Sequence, residues 1–190
     1  MKQILAVAGS ARRHSNSEKL LDSAIQGLEE SYSSIKVQKI VPYELPITPC
    51  RSCHGCIETG KCVINDEMQK LYEPFCNADH IIVSAPIYFT TVPGHLKVMI
   101  DRFQCLWVRT YRLDQPPTPR RSGMFLCVGG MNRERYFQNS LTVIKTWMST
   151  LNMSCEQFRF YPGIDEKNAI LSYPELLTDA RKAGEQLASL

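Results

Sequence analysis

Hydrophobic positions along the chain switch repeatedly between two periods. Residues 3–8 (QILAVA) form a short apolar run ending at Gly9, and beyond it Leu20, Leu21, Ala24, Ile25 and Leu28 recur at helical spacing. That pattern predicts strand, turn, helix. Residues 35–41 (IKVQKIV) read as a second strand, 67–75 as a helix carrying Met68, Leu71, Tyr72 and Phe75, and 80–87 (HIIVSAPI) as a third strand. Pro93 suits the first turn of a helix whose apolar face is Leu96, Met99, Ile100, Phe103 and Leu106. A Pro- and Arg-containing loop over 109–122 follows. A strand at 123–129 (GMFLCVG), a helix over about 133–150, a strand at 153–160 (MSCEQFRF) and a closing helix from Pro174 complete the series.

Five strands alternating with five helices predict an α/β three-layer sandwich with a five-stranded parallel sheet, because each parallel pair needs a crossover connection. Strands one, three and four are continuous apolar runs, as strands covered on both faces should be. Strands two and five mix in Lys36, Gln38, Lys39, Glu156, Gln157 and Arg159 and belong at the edges. The flavodoxin-like order 2-1-3-4-5 puts them there and opens a ligand crevice at the carboxyl ends of strands one and three. Loops 9–17, 42–65, 86–94 and 129–132 surround that crevice. With no internal repeat, low-complexity tract or linker, one domain over residues 1–190 is expected.

Composition narrows the function. The 22 basic and 19 acidic side chains are spread along the chain and give no polyanion-binding surface, so no nucleic-acid partner is expected, though small anionic ligands remain open. The apolar stretch at 3–9 is too short for a signal-peptide core or a membrane span, and a cytoplasmic protein without membrane association is expected. A reducing compartment disfavours structural disulfides and turns attention to metals and redox chemistry. Four of the eight cysteines crowd into 50–62; Cys76, Cys105, Cys127 and Cys155 stand singly in apolar segments and read as core.

The loop 9–17 (GSARRHSNS) delivers the chain to a helix N-terminus, where free backbone N–H groups and the helix dipole favour a phosphate. Ser10, Ser15, Asn16 and Ser17 can add hydrogen bonds and Arg12 a charge-assisted one. Without G-x-G-x-x-G or a G-K-[ST] ending, the loop suits neither a dinucleotide pyrophosphate nor a triphosphate with magnesium. A purely local reading makes Ser15 and Glu18 a capping box and leaves Arg12 and Arg13 solvated. Strand three ends in SAPIYFTTVPGHLK (84–97), whose prolines and Gly94 keep the backbone extended. Backbone groups around Ile87 to Phe89 suit a planar polar heterocycle, with Tyr88 or Phe89 against its face. Gly129-Gly130 permits close approach of a ligand. Ordinary aromatic packing and a plain turn explain the same residues taken singly. His14, His54, His80 and His95 lack metal spacing and read as loop or core residues.

In order along the chain, GS-x-R-x-x-SNS, then SAPIYF…PG-x-LK-x-x-IDR (84–102), together with the cysteine loop followed by NDEM, resemble the flavodoxin-like NADPH-dependent FMN reductase superfamily. Within it the resemblance is strongest to the iron–sulfur flavoproteins and covers about residues 3–130. It implies that Ser10, Arg12, Ser15, Asn16 and Ser17 hold the phosphate of FMN, that Pro86, Ile87, Tyr88 and Phe89 line the flavin, and that Gly129 and Gly130 approach its ring. It also implies chemistry at the flavin with no catalytic side chain. A homodimer or homotetramer follows, with Trp107 and the 109–122 loop as interface elements. Ala11 stands where such loops often have proline, which alters no chemical role. Asp101 and Arg102 match the pattern too and read as a local ion pair or a subunit contact.

The segment 49–62 (PCRSCHGCIETGKC) has the spacing C-x2-C-x2-C-x5-C. Three thiolates on one tight loop can face neighbouring irons of a cubane while the fourth closes it. The spacing resembles the iron–sulfur flavoprotein motif and implies Cys50, Cys53, Cys56 and Cys62 as ligands of a [4Fe-4S] cluster; it differs from the ferredoxin run. A four-thiolate zinc site, a redox dithiol and a metal-free thiol loop stay open. Three functions follow. One is an FMN-dependent redox protein of the iron–sulfur flavoprotein kind, passing electrons from a ferredoxin-like donor or NAD(P)H to a small-molecule or protein acceptor. The others are a cluster-free NAD(P)H-dependent FMN or quinone reductase and a non-enzymatic flavin or metal-binding module. Lacking a second nucleotide-binding unit, the chain has to take NAD(P)H transiently over the flavin.

Overall fold

The computed structural model describes residues 1–115 and 119–190. Its strands are β1 (Lys2–Ala8), β2 (Ile35–Ile40), β3 (His80–Pro86), β4 (Arg121–Gly129) and β5 (Met153–Pro162). They form one sheet in the order β2-β1-β3-β4-β5, every neighbouring pair parallel. The polar-mixed strands β2 and β5 take the edges, where one side is left open to water. β5 runs to Pro162, two residues past its expected end, after a bulge at Glu156: Gly123 pairs with Cys155 but Met124 with Gln157.

Among the described residues six α-helices flank the sheet: α1 (Asn16–Ser31), α2 (Tyr72–Asn77), α3 (Gly94–Asp101), α4 (Gln104–Tyr111), α5 (Gln138–Ser149) and α6 (Pro174–Ala188). Strand alternation sorts side chains to two faces. Ile4, Ala6, Ile82, Met124 and Leu126 join α1 and α6 in one core. Leu5, Val7, Ile81, Val83 and Phe125 join α2 to α5 in the other. In that second core Phe75, Phe103 and Trp147 meet edge-on or tilted with centroids 5.0–5.6 Å apart. α1 and α6 cross at Gly27 and Gly184, each of which lies against backbone of the other helix.

Three expected helices are redrawn. Over 67–75, Asp66 caps a 3-10 turn (Glu67–Lys70) and α2 follows, with Pro74 in its first turn where no N–H is missed. Behind Pro93 the single long helix is two, parted at Arg102–Phe103, and the parting places the Arg102 side chain in the interior. Over 133–150 a 3-10 turn (Glu134–Tyr136) precedes α5. The loop expected over 109–122 is shorter: 109–111 finish α4 and 121–122 open β4, while 116–118 lie outside the described residues.

Two groups, half-buried Asp79 and buried His80, tie stability to pH. Asp79 accepts the Gln3 N–H at 2.7 Å and pairs with Lys2 at 3.2 Å. Burial works against its charge, but those partners win and hold the carboxyl below its usual range. His80 sits between the Tyr32 hydroxyl (2.8 Å) and the Ser122 carbonyl, and burial keeps its pKa below the ordinary imidazole value. In each case the unfolded chain takes up a proton before the folded one does. Folding stability is therefore full above about pH 6.5, declines as His80 in the unfolded chain protonates, and declines again in the carboxylate range. Urea midpoints measured from pH 8 to 4 should fall in that order; a His80→Gln variant should lose the first decline.

Candidate functional site

At the carboxyl end of the sheet the loop 9–15 enters α1. Ser15 caps the helix, its Oγ accepting the Glu18 N–H at 3.2 Å. Glu18 returns the favour one residue early, accepting the His14 N–H at 2.5 Å, and pairs with Lys39. Burial opposes its charge, yet His14 and Lys39 hold it ionised to lower pH than usual. The local capping reading is thus correct in part and leaves the loop free for a ligand. Gly9 is demanded by the protein: a Cβ there would stand 2.7 Å from the Ala85 Cβ.

Ser10, Arg12, Ser15, Asn16 and Ser17 from this loop line one cleft with Pro86, Ile87 and Tyr88 after β3 and Gly129 and Gly130 after β4. Val128, Ile164 and Asp165 complete its wall. Asp165 escapes sequence reasoning because it follows an edge strand; the chain folds back through the Ile164 N–H to the Gly129 carbonyl (3.2 Å). Asn16 faces the cleft, but its side chain is engaged in that same fold-back, donating to the Glu166 carbonyl (2.9 Å) and accepting from the Ile170 N–H (3.3 Å). It positions the loop, and its backbone is left for a ligand together with the second Nδ2 hydrogen.

The second loop differs from expectation. The Ile87 N–H bonds to the Val128 carbonyl and the Tyr88 N–H to the Thr91 carbonyl, so neither is open to a heterocycle. Phe89 and Thr90 occupy left-handed backbone (φ 49° and 64°) at the tip of a two-residue turn, a conformation costly for a β-branched residue. That turn throws the Phe89 side chain wholly into solvent, outside the cleft lining. No protein atom requires Gly129 to be glycine, since a Cβ would make ordinary 3.5 Å contact with Ile87. The bare backbone there keeps the cleft floor open. Hydroxyls, an arginine and a helix N-terminus together with apolar Ile87, Val128 and Ile164 in one lining are the groups that suit an FMN phosphate and its ring.

The cysteines occupy a different recess, a cavity of about 330 Å³ lined by Cys50, Cys53, Cys56 and Cys62 and walled by α4 through Cys105 and Trp107. Cys50 and Cys53 are exposed, Cys56 and Cys62 half-buried. Cys105, read as core from sequence, is buried yet borders this cavity. Ser52, His54 and Gly60 take left-handed backbone, which winds the loop tightly. The thiols are not equivalent. The Gly55 N–H and the Arg51 guanidinium favour the Cys53 thiolate, whereas burial and the three neighbouring cysteines push the Cys56 thiol up.

The neck of this loop is closed by Arg102, which pairs with Asp66 and not with its neighbour; Asp101 pairs with Lys97 on the surface. Nη1 reaches Asp66 Oδ2 at 2.6 Å and the Thr48 carbonyl at 2.7 Å, and Nη2 reaches Asp66 Oδ1 and the Ile64 carbonyl. Among the described residues no three His, Cys, Asp or Glu side chains gather around one point as a single ion requires. A [4Fe-4S] cluster takes one thiolate per iron. It asks for four sulfurs spread around a cavity, and this donor set fits it.

The family model of NADPH-dependent FMN reductases matches residues 2–160. The chain is 30% identical over 146 residues to an iron-sulfur flavoprotein of Methanosarcina thermophila, covering 77% of this chain and 72% of that protein. It is 33% identical over 98 residues to an iron-sulfur flavoprotein of Archaeoglobus fulgidus, covering 52% and 44%. In fold it is similar to the NAD(P)H:quinone oxidoreductase from Methanothermobacter marburgensis (TM-score 0.74, 16% identity, 97% and 95% covered). It is similar too to a FMN-dependent NADH-azoreductase from Bacillus anthracis solved with FMN (TM-score 0.67, 18% identity, 100% and 98% covered). No helix among the described residues is long and apolar enough to cross a membrane. The chain belongs to the NADPH-dependent FMN reductase family of flavin-dependent oxidoreductases.

Proposed function

We propose that this protein is an iron–sulfur flavoprotein that holds FMN in the cleft beside Gly9 and a [4Fe-4S] cluster on Cys50, Cys53, Cys56 and Cys62. Electrons reach it from a ferredoxin-like donor or NAD(P)H and leave to a small-molecule or protein acceptor. The observation that carries the flavin half is the meeting of Ser10, Arg12 and Ser17, Ile87 and Tyr88, and Gly129 and Gly130 on one cleft from three separate loops. The cluster half rests on the four loop thiols that share one cavity and on the relatives' names.

When bound, FMN supplies one- and two-electron redox chemistry and the cluster one-electron chemistry. The chain's part is placement. The start of α1 with Ser10, Ser15 and Ser17 receives the phosphate, Arg12 adds a charge-assisted bond, and Asn16 keeps the loop in position. Gly129 admits the ring, and half-exposed Tyr88 leaves its outer face open to NAD(P)H. The assembly is a cytoplasmic homodimer or homotetramer.

Anaerobic purification followed by a visible spectrum and iron, sulfide and flavin analysis tests this reading. About one FMN and four irons per chain is the expected result. FMN with rapid NADPH bleaching and no iron leaves the cluster-free reductase, and neither chromophore leaves a binding module. Arg12→Ala should weaken FMN binding roughly 10- to 100-fold, the worth of a hydrogen bond to a charged group, as read by flavin fluorescence titration.

A further inference from the structure

Arg102 carries a feature that loop closure alone leaves unexplained. Its side chain is fully buried, four of its hydrogen bonds are made by Nη1 and Nη2, and its Nε–H has no partner. A buried guanidinium donor left unpaired gives up the hydrogen bond it had with water and gains none in return. The residue lines the cysteine cavity, and Cys62 acts on its guanidinium electrostatically. Asp66, itself nine-tenths buried, accepts from Thr48 and Met68 as well as Arg102, so the guanidinium is fixed in the plane of a two-pronged ion pair. Arg109 adds a second tie from α4, its Nε bonding to the Gly60 carbonyl at 2.7 Å. The loop is thereby held at its neck and at its far turn, and the residue that bears the unused N–H is one of those lining the cavity.

We propose that Arg102 is a positioning residue for the cysteine loop and that its Nε–H is the hydrogen-bond donor to a sulfur of the group the loop holds, at the Cys62 side. The assignment rests on the cluster reading above. A positive charge and an N–H directed at a cluster sulfur stabilise the more negative, reduced state and raise the reduction potential. Lysine at this position keeps the charge and some hold on Asp66 but has neither the fork nor the Nε–H. Asp66→Asn does the reverse, loosening the neck while keeping the guanidinium group and its Nε–H in the chain.

The experiment is a potentiometric titration of the cluster by low-temperature EPR in the intact protein, with iron and FMN content measured alongside. For Arg102→Lys the oxidised-to-reduced ratio of the cluster at a fixed potential should rise about tenfold, 59 mV for one electron, with FMN content unchanged. Asp66→Asn should lower iron content with a smaller shift of potential. If Arg102→Lys loses iron but its remaining clusters titrate as in the wild type, the residue is a strut only and the donor assignment falls. If Arg102→Lys does not fold, an unshifted potential in Gln69→Ala, which frees the Cys62 carbonyl and leaves the Ile64 carbonyl to Arg102 alone, supports the assignment; a shift as large as tenfold there overturns it, since loop looseness alone would then move the potential. Wild-type protein free of iron overturns the cluster reading itself, and is recognised before any variant is made.

Discussion

Cys53→Ser is expected to remove iron and sulfide from the purified protein and leave FMN at the wild-type level. Cys53 is exposed, so the change from sulfur to oxygen costs folding no more than about 0.5 kcal/mol, as for other surface substitutions. What it removes is a ligand. The Gly55 N–H and Arg51 favour its thiolate, the form that binds iron, whereas a serine hydroxyl stays protonated. Cys105→Ser is the matched control, a buried thiol beside the same cavity. It should keep its iron and lose stability, since a hydroxyl gains more from water than a thiol does. Iron analysis, the visible spectrum and thermal melts read all three quantities. Retention of iron in Cys53→Ser, or its loss in Cys105→Ser, would show that the ligand set has been drawn wrongly.

The largest purely structural effect is expected at the crossing of α1 and α6. A Cβ on Gly184 would overlap the Ala24 carbonyl, and one on Gly27 the Arg181 carbonyl; neither backbone can give way as a side-chain tip would. Gly184→Ala gains helix propensity of about 1 kcal/mol, but it must push apart two helices that close one whole face of the sheet through Ala24, Leu28, Ala180 and Ala183. Overpacking of that kind costs about 1–3 kcal/mol, sometimes more. With backbone and not a side-chain tip in the way the cost sits at the upper end, and the net loss of about 2 kcal/mol lowers Tm by about 4–8 °C in a chain of this size. Combining Gly27→Ala with Gly184→Ala should cost less than the sum, because the first already separates the helices. A melt unchanged by Gly184→Ala would mean that the two helices do not touch at this point.

Strand order was legible because burial on both faces leaves a compositional mark: β1, β3 and β4 each carry a largely apolar run, and β2 and β5 do not. The loops around the crevice were legible from the same order, and Ser10 to Ser17 and Gly129 fall where it places them. Helix breaks were not legible. The apolar face of 96–106 runs on in helical period across Arg102, and only the distant Asp66 explains why the chain turns there. The same separation hid the ion pair: proximity in sequence suggests Asp101, whereas the partner lies 36 positions away. Asp165 was hidden by the reach of a loop from an edge strand, and the outward turn at Phe89 by a pair of left-handed residues, Phe and Thr, that ordinarily avoid such backbone.

Because Thr48 and Ile64 are gathered onto a single guanidinium, the segment between them starts and ends at nearly the same point, with the Gly60–Arg109 bond as its other tie to the helices. Stretches between those ties can then change length or content without transmitting strain to the strands; doubling such a segment costs only about 0.6 kcal/mol in closure entropy. The thiol-bearing stretch is in this sense a cassette. Descendants of one ancestor could exchange it for a plain connection, or graft it onto a thiol-free cousin, while the nucleotide end of the fold went on unaltered.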